Sequence, residues 1–271
     1  MLPSLALLVP SLVGVASAAA CTREQLKAGT DSLIAAQQAG NPGALNPVSA
    51  NVTYNENQRA ARLATGILSQ PLQIAHNRSS LDTTQCATYT ELIAPNNAKP
   101  YVIGVQMYWS NSSISRIDTL TTSTGDWAFN ATGTLYWASR EEWATIPEAQ
   151  RDSRATIQAA ADAYCDIFSD KTVVVPWGHP CARLEGGVST GKGTPDDRCD
   201  IGIPDGVPLT DRHYVIDEAV GAVDVMLSFA GIPDSHEFRV ENGTIRFVHT
   251  LTVMTAKNAG GSGRKRRVHG V

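Results

Sequence analysis

The stretch His213-Tyr-Val-Ile-Asp-Glu-Ala-Val-Gly-Ala-Val-Asp-Val-Met-Leu-Ser-Phe229 decides the fold of this chain. It is rich in β-branched residues, and Gly221 interrupts it, so a helix is disfavoured. Gly231 and Pro233 follow and are typical of a turn. The stretch therefore predicts one long strand that ends near Gly231.

Two further strands follow from the residues after this stretch. Glu237-Phe-Arg-Val-Glu241 alternates polar with apolar residues, and Ile245-Arg-Phe-Val-His-Thr-Leu-Thr-Val253 resumes the alternation. Between them, Asn242-Gly243 supplies the residue pair that a type I′ hairpin turn prefers. Residues 212–253 thus predict an antiparallel meander.

Two ionisable side chains fall on apolar faces of this meander. His249 shares its face of the last strand with apolar residues only, namely Ile245, Phe247, Leu251 and Val253. Asp217 has the same parity as several valines on its own strand, unless a bulge at Gly221 shifts the register. Because an unpaired buried charge is costly, we expect the two either to pair with each other or to bind a ligand.

The N-terminus reads as a secretory signal peptide over residues 1–20. An apolar run from Leu2 to Val15 precedes Ala16-Ser-Ala18-Ala-Ala20, which offers A-x-A cleavage sites. No membrane anchor is expected, and Asn-x-Ser/Thr sequons occur at Asn51, Asn77, Asn111, Asn130 and Asn242. We therefore expect a glycosylated protein that is secreted or resides in the lumen of the secretory pathway.

The cysteines favour disulfide bonds over a metal site. The chain has 5 of them, with no CxxC and no Cys/His spacing typical of zinc. Cys181–Cys199 is the preferred pair, because it would close a Gly- and Pro-rich loop. Cys21–Cys86 is a plausible second pair and would leave Cys165 as a free thiol.

Charge and motifs exclude several classes of function. The formal net charge is −4, and the one basic run, Arg264 to Arg267, follows a glycine-rich segment in a predicted disordered tail over 257–271. A nucleic-acid role is therefore disfavoured. The letters GxSxG occur at Gly187-Val-Ser-Thr-Gly191, but in a predicted loop and not at the strand-to-helix elbow that the motif requires. The chain has no phosphate-binding glycine loop, no GxGxxG after a strand and no HExxH, so neither a cofactor nor a metal is expected.

The chain resembles itself at an offset of 131 residues. This shift places Arg23 on Arg154 in predicted helices, and Asn111-Ser-Ser-Ile114 on Asn242-Gly-Thr-Ile245 in predicted hairpins. We therefore predict an α+β fold with two cone-like curved antiparallel sheets, each packed with helices, in halves 21–138 and 139–256.

The pattern of a helix followed by a curved meander resembles the ketosteroid-isomerase-like, or SnoaL-like, cone fold of the nuclear transport factor family. The stretches Pro176 to Gly187, Tyr214 to Glu218, Pro233 to Arg239 and Phe247 to Thr250 resemble secreted fungal proteins of unassigned function. Some members look like the cyclases that dimerise maleic anhydride units in maleidride pathways. The resemblance implies a pocket on the inner side of the sheet but supplies no catalytic set.

Candidate site residues come from the second half, because the offset places Asp118 and Val105 at the positions of His249 and His236. The expected proton-transfer and oxyanion-binding residues are His249, Asp217, Arg183 and His236, and the expected substrate-binding residues are Trp177, Glu185 and Tyr214. The structural alternatives are an Arg183–Glu185 pair, a Trp177 core anchor and an exposed His236.

Two functions remain open from the sequence. One is a cofactor-independent isomerase or cyclase that transfers a proton on a small unsaturated carbonyl or anhydride metabolite. The other is a secreted protein that binds a small ligand without turning it over. The expected partner is a small molecule rather than nucleic acid or membrane, and homodimerisation is left open.

Overall fold

The computed structural model describes residues 21–254, so the predicted signal peptide and the predicted tail lie outside the described residues. The first half contains α1 (Arg23–Ala39), β1 (Val48–Glu56), β2 (Arg59–Ala60), β3 (His76–Asp82), β4 (Ala87–Ala94), β5 (Tyr101–Ser110) and β6 (Ser113–Thr122). The connection carries α2 (Ala131–Ala138). The second half contains α3 (Arg154–Asp166), β7 (Trp177–Glu185), β8 (Val188–Ser189), β9 (Leu209–Asp217), β10 (Ala222–Phe229), β11 (Ile232–Glu241) and β12 (Thr244–Thr252).

Each half is a curved 6-stranded sheet packed on one long helix, with strand orders β2-β1-β6-β5-β4-β3 and β8-β7-β12-β11-β10-β9. The predicted α+β fold with two helix-packed curved sheets is confirmed. The sheets are mixed rather than purely antiparallel, because β1 runs parallel to β6 and β7 runs parallel to β12. Parallel pairing joins strands that are far apart in sequence, so no turn motif between neighbouring segments predicts it.

The predicted long strand from His213 to Phe229 is wrong. The chain instead forms β9 and β10, joined by a turn at Glu218 to Gly221. Gly221 has φ of +58°, and a Cβ there would lie 2.3 Å from the Val240 carbonyl oxygen, so only glycine fits this turn. The Asn242-Gly243 turn is as predicted, with positive φ at both residues.

The two faces of each sheet have different partners. We call the face that packs on the half's own helix the inner face, and the face that packs on the other half the outer face. In the first half α1 begins with a Thr22 capping box and buries Leu33 and Ala36 on the inner face. In the second half Ile157 and Tyr164 of α3 do the same. The two sheets therefore meet through their outer faces.

Strand registers confirm the 131-residue correspondence. Gly104 of β5 lies opposite Leu120 of β6, and Ser235 of β11 lies opposite Leu251 of β12, each residue 131 positions after its counterpart. The helices α1 and α3 begin at Arg23 and Arg154, which have the same spacing. The two elements that suggested a duplication thus have the same roles in both halves.

Two reciprocal ion pairs join the halves. Arg23, the first residue of α1, donates hydrogen bonds of 2.7 and 2.8 Å to Asp217 at the end of β9. Arg154, the first residue of α3, donates bonds of 2.8 and 2.7 Å to Asp82 at the end of β3. The backbone N–H of Leu81 donates to Asp217, and that of Ile216 donates to Asp82. Each carboxylate is therefore shared between both halves.

Both predicted disulfides are present, Cys21–Cys86 and Cys181–Cys199, and Cys165 is a buried free thiol. Disulfides of this kind are typical of an oxidising, extracytosolic compartment. The five sequon asparagines are exposed. Within residues 21–254 no helix has the length and apolar character needed to cross a membrane.

The Arg154–Asp82 pair generates a stability prediction. Arg154→Met leaves the fully buried Asp82 without its cation. Because Arg154 keeps 22% exposure, we expect a loss of about 2 kcal/mol in the free energy of unfolding, less than the ~3–5 kcal/mol of a fully buried pair. Urea unfolding at pH 7 measures it.

The matched control is Lys27→Met in the exposed Lys27–Asp31 pair of α1, where we expect less than about 0.5 kcal/mol. Adding Asp82→Asn to Arg154→Met should recover part of the loss, because it removes the uncompensated charge. Equal effects of Arg154→Met and Lys27→Met would contradict the role of the cross-half pair.

Candidate functional site

Strand β11 sends polar side chains to both faces of the second sheet. Asp234 and His236 lie on the inner face, towards α3, and Ser235 and Glu237 lie on the outer face, towards the first half. All four are buried. The second half therefore holds two separate polar groups on opposite sides of one sheet.

The inner polar site consists of Tyr164, Asp234 and His236. Tyr164, on α3, is fully buried, and its ring centroid lies 5.3 Å from that of His236. Nδ1 of His236 lies 3.3 Å from Oδ2 of Asp234, without the alignment of a hydrogen bond. Thr252 donates a 2.7 Å hydrogen bond to the other oxygen of Asp234.

Burial sets the protonation states of the inner polar site. It raises the pKa of Asp234 to about 8. Burial, together with the charges of Arg183 and Arg212, lowers the pKa of His236 to about 3. Burial also raises the pKa of Tyr164 above its ordinary value. At neutral pH all three groups are therefore mostly uncharged, and Asp234 lies close to its titration point.

Two polar atoms of the inner polar site are unpartnered. Oη of Tyr164 and Nδ1 of His236 are buried and form no hydrogen bond with any residue in the described range 21–254. A buried polar atom without a partner costs on the order of 1–3 kcal/mol. Such atoms at one place are candidates for contact with a bound molecule.

Arg183 and Glu185 lie on β7, which β12 separates from β11, and they pair with each other, which was the structural alternative. Nε of Arg183 lies 2.6 Å from Glu185 in an ion pair whose N–H is not aligned on the oxygen. The other two nitrogens donate to the carbonyls of Cys199 and Ile201. The guanidinium is thus engaged with the loop that the Cys181–Cys199 disulfide closes, rather than free to bind an oxyanion.

Trp177 and Tyr214 border the inner face in different ways. The Trp177 ring packs edge-on against Tyr164, with centroids 5.6 Å apart, so Trp177 forms a wall of the inner polar site. Tyr214 donates a 2.6 Å hydrogen bond to Asp162 of α3, so its hydroxyl is engaged at the edge of the helix.

The outer polar cluster comprises Arg78, Glu91, Glu141, Glu237 and His249. Nδ1 of His249 lies 3.0 Å from Glu91 of the first half, and Nε2 lies 2.7 Å from Glu141 of the connection. Nη2 of Arg78 contacts Glu91, Glu237 and His249 at 3.3, 2.5 and 3.2 Å. This cluster joins three parts of the chain.

The charges of the outer polar cluster compensate one another. Burial alone lowers the pKa of His249, but the Glu141 and Glu91 carboxylates raise it to about 10. Burial alone raises the pKa of Glu91, but His249 and Arg78 lower it to about 2. Ligand atoms of Glu91, Glu237 and His249 lie within 4.8 Å of one another, a spacing that suits a metal ion. Arg78 already contacts all three, so a guanidinium supplies the positive charge there.

The structure divides the predicted site residues. Arg183, Glu185, His236 and Trp177 lie together on the inner side of the second half, whereas His249 and Asp217 lie at the junction of the halves. His249 and Asp217 do not pair with each other, because each is bound to residues of the first half. Their predicted catalytic roles stay predictions, and the geometry separates them from His236.

Sequence reasoning missed Tyr164 and Asp234. Gly231 and Pro233 predict a turn just before Asp234, but β11 already begins at Ile232, so Asp234 and His236 share one face of a strand. The signal that could have found them is the 131-residue offset. It aligns Tyr164, Asp234 and His236 with Leu33, Ile103 and Val105, which are buried apolar residues of the first half.

Comparisons with known proteins add a partial family match. A family model described as "Domain of unknown function (DUF8021)" matches residues 150–252. An NTF2-like protein of unknown function from Burkholderia xenovorans LB400 is similar at 12% identity over 44% of this chain and 97% of that chain, with a TM-score of 0.30. One from Shewanella baltica OS155 is similar at 6% identity over 36% and 92%, with a TM-score of 0.28. No curated protein matches.

The raised pKa of Asp234 makes stability depend on pH. Between pH 3.8 and about 8 the folded state keeps a proton that unfolded Asp234 has lost, so the free energy of unfolding should fall as pH rises. The slope is at most about 1.4 kcal/mol per pH unit. His236 contributes the opposite slope between pH 3 and 6.5, so above pH 6.5 it no longer offsets the contribution of Asp234.

Asp234→Asn should therefore flatten the decline in stability between pH 6.5 and 8, measured by urea unfolding at several pH values. His249 titrates with the same sign and is present in both proteins, so it cancels in the difference. A difference between wild type and Asp234→Asn that does not change with pH would contradict the assignment.

Proposed function

We propose that the second half is a cofactor-independent isomerase or cyclase that transfers a proton on a small unsaturated carbonyl or anhydride metabolite. Asp234 exchanges the proton, Tyr164 binds the carbonyl oxygen, and His236 orients the substrate. The observation that carries the proposal is the contrast between equivalent positions of the two halves. Leu33, Ile103 and Val105 fill the inner face of the first half where these three polar residues stand in the second.

The comparison of the two halves indicates that folding alone does not require polar residues at these three positions. The first half shows that apolar residues at these positions are compatible with the same helix and sheet. Burying a carboxyl, an imidazole and a phenol instead is costly, because two of their atoms find no partner in the described chain. The second half buries these polar side chains although the fold does not require them, which supports a role in binding a ligand.

The protonation states suit proton transfer next to a carbonyl. The Asp234 carboxylate would take a proton from a carbon adjacent to the carbonyl, the C–H electron pair would form a C=C bond, and the π pair of the carbonyl would move to its oxygen, giving an enolate. The Tyr164 hydroxyl would donate a hydrogen bond to that oxygen, where negative charge develops. Return of the proton to another carbon gives isomerisation. In cyclisation, attack of the enolate carbon on a second unsaturated unit forms a C–C bond and a new enolate, a second attack between the joined units closes the ring, and Asp234 returns the proton to the carbanion that remains.

The expected substrate class follows from this chemistry and from the resemblance to maleidride cyclases. Trp177, Tyr164 and Phe238 supply flat apolar contacts around the polar atoms. A small, flat, conjugated molecule with one carbonyl or anhydride suits such a lining. The two disulfides and the exposed sequon asparagines support action outside the cytosol, as a secreted glycoprotein.

Substitutions in the inner polar site test the proposal. With purified protein and a panel of enone and anhydride monomers, Asp234→Asn should lower kcat/KM by about 10²–10⁴-fold, because it removes the proton-transfer group. Tyr164→Phe should lower kcat by about 10²-fold, because it removes one oxyanion donor. Wild-type kcat/KM should rise with pH towards about 8, since the carboxylate is the active form.

The matched control is Tyr136→Phe, which removes the hydroxyl of a half-exposed tyrosine on α2 and should leave turnover unchanged. Unchanged turnover in Asp234→Asn would contradict the role of this carboxyl.

A second candidate function, ligand binding without turnover, rests on the unpartnered atoms of Tyr164 and His236, which a ligand could satisfy without reacting. No turnover by wild type across the panel, together with a saturable ligand that Tyr164→Phe and His236→Val release, would establish the binding protein instead.

A further inference from the structure

A cleft of about 310 Å³ lies at the junction of the two halves, on the outer faces of the sheets. It is separate from the inner polar site, which lies on the other face of the second sheet. Its walls include Arg116, Asp118 and Leu120 of β6 and His213 and Met226 of β9 and β10. Charged groups and an apolar surface thus share one cavity.

The strand registers give three residues of this cleft a counterpart elsewhere in the chain. Gln106 lies opposite Asp118, and Glu237 lies opposite His249, so Asp118 is equivalent to His249. Gly104 pairs with Glu91 and Ser235 pairs with Met226, which makes Met226 equivalent to Glu91. Within the same sheets His213 lies opposite Met226 and Arg78 opposite Glu91, so His213 is equivalent to Arg78.

The equivalent place is filled by the connection between the halves. Glu141 directs a carboxylate oxygen to 2.7 Å from Nε2 of His249. The Trp143 indole lies against the Arg78 guanidinium at 3.8 Å and stacks on Phe247 with centroids 5.8 Å apart. One outer position therefore contains an aromatic ring and an anion, both supplied by the chain itself.

The charge that faces the cleft is inverted relative to this filled counterpart. Where cationic His249 receives the Glu141 carboxylate, the open cleft contains the Asp118 carboxylate, and Asp211 adds a second one. One oxygen of Asp118 accepts a 2.8 Å hydrogen bond from Asn55. Arg116 lies 2.6 Å from Asp118 and is 40% exposed, whereas the Asp118 side chain is 13% exposed. The cleft thus contains two carboxylates and one guanidinium, an excess of negative charge. A complementary occupant therefore carries a positive charge.

The rest of the lining fits a flat apolar body. Leu120 and Met226 are buried at the base of the cleft, and the His213 ring stands at its edge, equivalent to the Arg78 guanidinium that covers Trp143. A volume of about 310 Å³ suits a molecule of two fused rings with a short side chain.

We propose that this cleft is a binding site for a small organic cation, an amine carried on a flat aromatic ring. The ammonium binds Asp118 and Asp211, and the ring packs on Leu120 and Met226. The site is independent of the proton-transfer site, since it lies on the opposite face of the sheet and shares no residue with it.

Tryptamine is the probe, because it joins an indole to an ammonium and so inverts the charge of the Trp143–Glu141 arrangement. Isothermal titration of the full chain at pH 7 should show saturable binding at one site. Indole-3-acetate, which carries the same ring and a negative charge, should bind at least about tenfold more weakly. Equal binding of both compounds, or no saturable binding of tryptamine, would overturn the proposal.

Two variants locate the site. Asp118→Asn keeps the shape and removes the charge, and it should weaken tryptamine binding at least about tenfold. Met226→Trp keeps both carboxylates and fills the cleft, so it should abolish binding even if Asp118→Asn folds poorly. Asp31→Asn removes an exposed carboxylate on α1 and should bind like wild type. Unchanged affinity in both cleft variants would place the binding elsewhere and overturn the assignment.

Discussion

The two reciprocal arginine–aspartate pairs set the geometry on which the rest of the structure depends. A positive side chain at the first position of a helix opposes the helix dipole, so Arg23 and Arg154 do not stabilise their own helices there. Each instead binds a buried carboxylate at the strand end of the other half. The start of α3, the helix that carries Tyr164, is thereby fixed by Asp82 of the first half. The first half thus helps to position the inner polar site without contributing a residue to it.

Duplication lets the two inner faces differ. The first half keeps Leu33, Ile103 and Val105 in a continuous apolar core, which stabilises its helix and sheet. The second half carries the cost of a buried carboxyl, Asp234, whose pKa burial raises to about 8. Because reciprocal ion pairs and outer-face packing join the halves, the stability that the apolar core of the first half provides offsets the cost of the buried polar groups in the second. Such a division of roles is open to a tandem chain but closed to a homodimer, in which both copies must be the same.

Local signals made much of the fold predictable from the sequence. The capped helix at Thr22, the Asn242-Gly243 turn and the cysteine pairing each depend on residues close in sequence or on compartment chemistry. The parallel strand pairs and the face on which Asp234 lies depend on contacts between residues far apart in sequence, and hydrophobic periodicity alone does not predict such contacts. Alternation placed His249 on a buried face, but whether that face meets a helix or another sheet is a tertiary property. The candidate site was therefore half found, with His236 identified and its partners Asp234 and Tyr164 missed.

The single connection between the halves explains why the junction is unsymmetrical. Within residues 21–254 the chain crosses from the first half to the second once, and that crossing carries Glu141 and Trp143 into one outer position. Two copies of one sequence would present the same side chain at both positions, but here His249 faces a carboxylate and Asp118 faces an open cleft. Covalent joining thus removed the requirement that the two positions share one chemistry. The Trp143 indole that covers Arg78 and Phe247 follows from the path of the connection, and the opposite cleft stays open because no segment of the described chain covers it.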